Sequence, residues 1–203
     1  LALSIVENTP LRSLFDRQVE LTRSLLTEKE RIVRSLSRYV NSERLRYLLG
    51  SYQVDDTINF GCTSTVEYGE LEYSVLYLSL LDQLDRVEQQ VSLNSCTSFL
   101  EIGPGFGATM HLIEQNYPHL RKYLLVDIVP NIYLVSEYLR YIYGDAVVDY
   151  RVTCKSQSIS FKPDTSLEII IIPPWKLATV DERFDYCWNS HSFVEMSNES
   201  LKF

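Results

Sequence analysis

The chain has 203 residues, 45% of them hydrophobic, which suffices for one α/β core plus an appendage. A formal net charge of -8 and an isoelectric point near 4.9 exclude nucleic acid as a bulk electrostatic partner. No apolar run approaches bilayer-spanning length and Leu1 opens no recognisable signal peptide. The four cysteines, Cys62, Cys96, Cys154 and Cys187, form no C-x-x-C pair and share no His spacing for a metal site, so the expectation is a cytoplasmic protein with buried thiols and no metal.

In chain order, the first predicted elements are helical. Leu11, Leu14, Phe15, Leu21, Leu25, Ile32, Val33, Leu36, Val40, Leu45 and Leu48 recur at steps of three or four, between Pro10 and Gly50, which predicts about two amphipathic helices. The first fifty residues hold nine Lys or Arg against six Asp or Glu, a net of +3, which leaves -11 for the remainder of the -8 total. Such a basic face is either solvated or turned to an anionic surface, the former being the commoner case. The hydroxyl-rich stretch 54–68 reads as a loop, lining an acceptor pocket or linking two parts of the chain. Helix resumes over 71–91, with Val75, Leu76, Leu80, Leu81, Leu84, Val87 and Val91 facing inward. These residues form an N-terminal helical region and connecting loop, 1–95, ahead of a second unit, 96–203.

The second unit opens on Phe99-Leu100-Glu101-Ile102-Gly103-Pro104-Gly105-Phe106-Gly107, an apolar strand ending in an acidic residue, then a glycine-rich turn, then a helix start. Glycines at alternate positions permit a tight turn and leave no side chain between the backbone and a bound nucleoside. Gly103, Gly105 and Ala108 also satisfy the G-x-G-x-x-G/A pattern of dinucleotide-binding turns, so the spacing alone leaves two cofactor classes open. A short helix follows from Ala108 and ends near Pro118. The run 123–128 is apolar throughout, as buried parallel strands are. Asp127 closes it about 20 residues past the glycine turn, where a carboxylate accepts hydrogen bonds from ribose hydroxyls; the alternative for Asp127, with Pro130 and Asn131 following, is a helix cap. Asp127 and its neighbour Ile128 are therefore candidate cofactor-binding positions. Asn131–Tyr143 has Ile132, Leu134, Val135, Tyr138, Leu139 and Ile142 on a helical period and Gly144 as its stop.

Beyond it, 147–152 reads either as a third strand or as an insertion before one. The β-branched run 167–172, closed by Pro173 and Pro174, is the favoured third strand, and 184–188 is the fourth. Strand and helix alternate as in a doubly wound, mostly parallel α/β sheet. Trp175 then falls at a carboxyl strand end, where ligands bind in open α/β sheets, placed to stack on an adenine or simply to pack.

Glu101-x-Gly103-x-Gly105-x-Gly107 resembles motif I of the class I S-adenosylmethionine-dependent methyltransferases, whose fold is Rossmann-like. Two further runs carry a narrower likeness, to the sugar O-methyltransferase family. One is Leu125-Val126-Asp127-Ile128-Val129-Pro130-Asn131-Ile132-Tyr133-Leu134. The other is Phe184-Asp185-Tyr186-Cys187-Trp188-Asn189-Ser190-His191-Ser192-Phe193-Val194-Glu195-Met196. Pro104 stands where that group usually has Gly, and His191 where it commonly has Asp.

The likeness spans roughly residues 98–196. It implies S-adenosylmethionine as cofactor, held by Glu101, Gly103, Gly105, Gly107, Asp127, Ile128, Trp175 and Asn189, and a small-molecule acceptor such as a sugar. It also implies a seven-stranded sheet; the chain starts without Met and stops at Phe203 after its fourth apparent strand, so a fragment or a reduced fold is expected. Methyl transfer to a hydroxyl needs an aligned acceptor and a base for its proton. His191 is the candidate base, the alternative being a cap of the next helix. The competing functions are a nicotinamide-dependent oxidoreductase using the same turn and a non-catalytic domain of methyltransferase type.

Overall fold

A computed structural model of the chain describes residues 43–54, 65–190 and 192–196. The helical expectation for residues 11–42 and the candidate base His191 lie outside the described residues. Helix α1 spans Glu43–Ser51 and buries Leu45 and Leu48, as the period predicts. A two-stranded antiparallel hairpin follows, β1 (Thr65–Tyr68) and β2 (Leu71–Ser74), with Gly69 at φ 67° in its turn. It leads directly into α2 (Val75–Glu88).

The hairpin corrects two expectations. The stretch 54–68 is not loop to its end, and the helix predicted over 71–91 begins four residues later, at Val75. Leu76 and Val91 are exposed, and the inward face carries Tyr77 and Leu78 instead.

The main sheet has five parallel strands: β3 (Ser98–Ile102), β4 (Lys122–Val126), β5 (Val147–Val148), β6 (Glu168–Ile172) and β7 (Tyr186–Trp188). Their spatial order is β5-β6-β4-β3-β7: from β3 the chain lays β4 beside it, goes out to the edge strand β5, returns to insert β6 between β5 and β4, and then crosses to lay β7 on the other side of β3. A doubly wound sheet has this reversal, and its ligand crevice lies beside the reversal, past the carboxyl ends of the strands. Both candidate third strands enter the sheet. The residues 167–172 supply β6, as favoured, and Val147–Val148 forms a two-residue edge strand paired with it, after which α5 (Tyr150–Thr153) turns helical.

Side chains alternate between the two faces of the sheet. Phe99, Tyr123, Leu125, Ile169, Ile171 and Trp188 share a core with α2, with α3 (Ala108–Asn116) and with α4 (Asn131–Tyr143). Leu124, Val126, Ile170 and Ile172 face the other way, where Ile159, Phe161, Val180 and Phe184 from extended segments cover them. All five residues of β6 are buried, which explains its unbroken isoleucine run; each such side chain contributes about 1.5–3 kcal/mol. Among the described residues no helix is long and apolar enough to cross a membrane. Of the thiols expected to be buried, Cys96 is, Cys154 is half-buried and Cys187 on β7 is exposed, and Cys62 lies outside the described residues.

Candidate functional site

The strand β3 ends at Ile102, and the chain leaves the sheet through three left-handed glycines, Gly103 at φ 75°, Gly105 at φ 61° and Gly107 at φ 99°. Gly107 then serves as N-cap of α3. The Gly103 amide donates to the Val126 carbonyl at 2.8 Å, which keeps the start of the turn in register with β4. The space around the three glycines differs. A methyl group built on Gly107 would meet Leu139 and Val135 of α4 at 3.0–3.1 Å, and one built on Gly103 would lie 2.4 Å from Ser192. At Gly105 nothing stands within 4 Å, so the outer face of the turn is open there.

Asp127, the residue after β4, closes the far side. One carboxylate oxygen accepts from the Gly105 amide at 3.0 Å and the other from its neighbour Ile128 at 2.7 Å. Burial pushes its carboxyl above the ordinary aspartate range, against the pull of the Ile128 and Gly105 amides and the Asn131 side chain. The cap alternative does not hold: α4 has Pro130 at its N-cap with no side-chain cap bond, and the two amides that Asp127 accepts belong to the glycine turn and to its own neighbour. With these two amides and Asn131 as donors, one of the carboxylate's four acceptor positions stays open.

Glu101 comes from β3 on the helix-covered face, 1% exposed, with one oxygen lacking any hydrogen-bond partner. Burial raises its pKa to about 8; a hydrogen bond with Thr109 works against this, and the nearby Asp127 charge adds to it. Two carboxyl groups therefore bracket one glycine turn. The segments 99–120, 123–139 and 184–196 contain no Lys or Arg; on the turn that carries Trp175, Lys176 donates to the Ser156 carbonyl at 2.7 Å.

The remaining predicted site residues fall at the same end of the sheet with different fates. Ile128 is 59% exposed just past Asp127, and Trp175, on the 3-10 turn Pro174–Thr179 beyond β6, is 68% exposed. Trp175 takes no part in the core, which removes the packing role weighed for it. The Asn189 side chain bonds to the protein itself: its Nδ2 donates to the Ile102 carbonyl at 2.7 Å and to Ser192 Oγ, while its Oδ1 accepts from the Phe193 amide at 3.3 Å.

Two residues that sequence reasoning left out also act here, Thr109 on Glu101 and Asn131 on Asp127. A hydroxyl in the first turn of α3 and an amide four residues past Asp127 were the available signals. Phe106 rests edge-on against Tyr138 of α4 with ring centroids 5.2 Å apart, which steadies the turn from behind. No family model, curated protein or solved structure matches the chain.

Proposed function

We propose that the crevice past β3, β4 and β7 binds S-adenosylmethionine and that the chain is an O-methyltransferase acting on a hydroxyl of a sugar or similar small molecule. The observation that carries this reading is the pair of buried carboxyl groups, Glu101 and Asp127, set around a glycine turn that is open at Gly105. Such a site suits a ligand with positive charge at one end and a hydroxyl at the other. A dinucleotide would instead bring its pyrophosphate against the same carboxyls, where residues 99–120, 123–139 and 184–196 offer no basic side chain to offset them. The partnerless oxygen of Glu101 is buried in this structure and would gain a donor from an ammonium group that reached it, the acceptor position left on Asp127 suits a ribose hydroxyl, and the exposed Ile128 and Trp175 offer apolar surface to a base.

When bound, the cofactor supplies a methyl group on a sulfonium, which passes to the acceptor oxygen. The chain's part is to hold both partners in line, to exclude water and to accept the hydroxyl proton. His191 is the residue proposed for that proton. The sugar acceptor rests on the likeness of residues 184–196 to the sugar O-methyltransferases.

Glu101 provides a test. With a pKa of about 8 its carboxyl is largely protonated at neutral pH, and an ammonium group beside it favours the ionised form. Binding of S-adenosylhomocysteine, measured by calorimetry, should release a proton. Affinity should rise by up to about tenfold per pH unit until pH reaches about 8, then level off. Glu101→Gln should bind more weakly and flatten the profile; a wild-type affinity that does not change with pH contradicts the assignment. The same group affects folding. Its pKa is raised in the folded chain, so its contribution to stability is present in acid and is lost as pH rises through about 8, a loss that Glu101→Gln removes. Incubating the protein with S-adenosylmethionine and a panel of sugars, with mass spectrometry for an added methyl group, tests the transfer itself.

A further inference from the structure

We infer that the N-terminus of α2 and the Trp188 indole hold the carboxylate of an α-amino-acid group whose ammonium Glu101 takes. The inference rests on the reading of the crevice as a cofactor site and adds how the charged end of that cofactor is recognised. The chain path brings the helix there. α2 ends at Glu88 and leads through the 3-10 turn Leu93–Ser95 into the start of β3 at Ser98, so its C-terminus lies at the amino end of the sheet and its N-terminus at the carboxyl end, where the glycine turn is. Contact with α3, which runs the same way, fixes the level. The Tyr77 and His111 rings meet edge-on with centroids 6.3 Å apart, and the Tyr77 hydroxyl lies 3.5 Å from His111 Nδ1. Tyr77 comes three residues after Ser74 and His111 four after Gly107, so at equal rise per residue Ser74 stands level with the end of the glycine turn.

The N-terminus of this 14-residue helix lacks a side-chain cap: Ser74 stands at the N-cap without making a cap bond, and no acidic residue is present in the first turn. Helix N-termini favour negative charge, and a serine at that position normally bonds the first-turn amides itself. Here Ser74 is buried and its Oγ has no hydrogen-bond partner among the described residues. Two more such atoms lie on the helix-covered face at the same end of the sheet. Glu101 and Trp188 are register partners on adjacent parallel strands, both buried, and Glu101 Oε2 and Trp188 Nε1 also lack partners among the described residues. Buried polar atoms are nearly always paired, so three of them at one end of one face mark a place for a ligand group. The indole can only donate, an ionised carboxylate can only accept, and the hydroxyl does either. Residues 71–85, 99–120 and 184–196 hold no Lys or Arg, so a ligand carboxylate is met there by amide, hydroxyl and indole donors. An α-amino-acid group carries the matching anion and cation on one carbon.

Calorimetry on the full chain with S-adenosylhomocysteine and with its decarboxylated analogue, which keeps the ammonium group, tests the assignment. Wild type should bind S-adenosylhomocysteine at least about tenfold more tightly than the analogue. Ser74→Ala should weaken S-adenosylhomocysteine binding by about threefold or more and leave the analogue unchanged. Its thermal midpoint should hold, because the hydroxyl bonds to nothing in the protein. A spectroscopic readout on wild type needs no variant. The chain has two tryptophans, Trp175 exposed and Trp188 buried, so the indole proton that exchanges more slowly with solvent is that of Trp188. Its resonance should move downfield on saturation with S-adenosylhomocysteine and stay in place with the analogue. Equal affinity of wild type for the two ligands, or a Trp188 resonance that does not respond to bound S-adenosylhomocysteine, overturns the carboxylate site and leaves the cofactor reading standing. Binding of neither ligand overturns the cofactor reading, and the carboxylate site with it.

Discussion

Replacing Asp127 with alanine is expected to weaken S-adenosylhomocysteine binding by at least about tenfold. A hydrogen bond from a ligand hydroxyl to a charged acceptor contributes roughly 1.5–3 kcal/mol. Because Asp127 also accepts the Gly105 and Ile128 amides, the substitution loosens the turn as well, and a second variant has to separate the two effects. Gly105→Ala does so. At φ 61° an alanine costs the fold about 1–2 kcal/mol, and the new methyl meets no protein atom within 4 Å, so the protein should remain folded. If the ligand lies against that face, affinity should still fall more than about tenfold. Gly107→Ala makes the contrast: its methyl collides with Leu139 and Val135, so it should lower the thermal midpoint more than Gly105→Ala does. Calorimetry and thermal melts on the three variants read both quantities. Undiminished binding by Asp127→Ala and Gly105→Ala would remove the crevice from consideration.

The largest effect on stability is expected at Asp85, which is far from the crevice in function. Asp85 is 2% exposed on α2. It accepts from Arg44 at 2.7 Å, Tyr52 at 2.9 Å, Tyr47 at 3.1 Å and Gln89 at 2.9 Å, and Arg44 also reaches Asp82 at 2.6 Å. This cluster fastens α1 and the residues after it to α2. Burial works to raise the Asp85 pKa, but the donated hydrogen bonds from Arg44, Tyr52 and Tyr47 outweigh it and hold the carboxyl below its ordinary range.

Asp85→Ala strands the tyrosine and glutamine donors, while Arg44, about a third exposed, keeps Asp82; the loss is on the order of 2–3 kcal/mol. Asp85→Asn should lose less, since it still accepts from the tyrosines. A group depressed in the folded state contributes stability above its unfolded pKa and loses it as pH falls through the folded value. Wild type should therefore weaken on acidification more steeply than Asp85→Asn. Urea unfolding of the two variants across acid pH measures both; an Asp85→Ala midpoint close to that of wild type would show that the cluster contributes little.

How much of this was legible in the sequence varies with the range of the interaction concerned. The glycine turn, β4, α4 and β6 were readable because each is a long apolar run or period ended by a residue with restricted conformational use, such as Gly144 or Pro173. The hairpin before α2 was not. Leu71 and Val75 are four apart, so they extend the helical period backward, and a four-residue strand is too short to separate a period of 2 from one of 3.6. The two-residue turn at Gly69 and Glu70 was the signal that distinguishes them.

At the site, residue types were legible but their commitments were not. The capacity of Asn189 to hydrogen-bond is evident from its amide, yet only the fold shows that the amide is used by Ile102, Ser192 and Phe193. Glu101 and Asp127 stood out by spacing. That one of them is buried with an unpaired oxygen while the other holds the glycine turn follows from how β3 and β4 lie side by side, with Glu101 opposite Leu125 and Ile102 opposite Val126.

The most direct measurement is a pair of calorimetric titrations of the intact protein at one pH, with S-adenosylhomocysteine and with NADH. The two buried carboxyls around the open glycine turn predict saturable one-to-one binding of S-adenosylhomocysteine, weakened in Asp127→Ala, and no heat from NADH. Saturable NADH binding that Asp127→Ala weakens, with none for S-adenosylhomocysteine, would contradict the account.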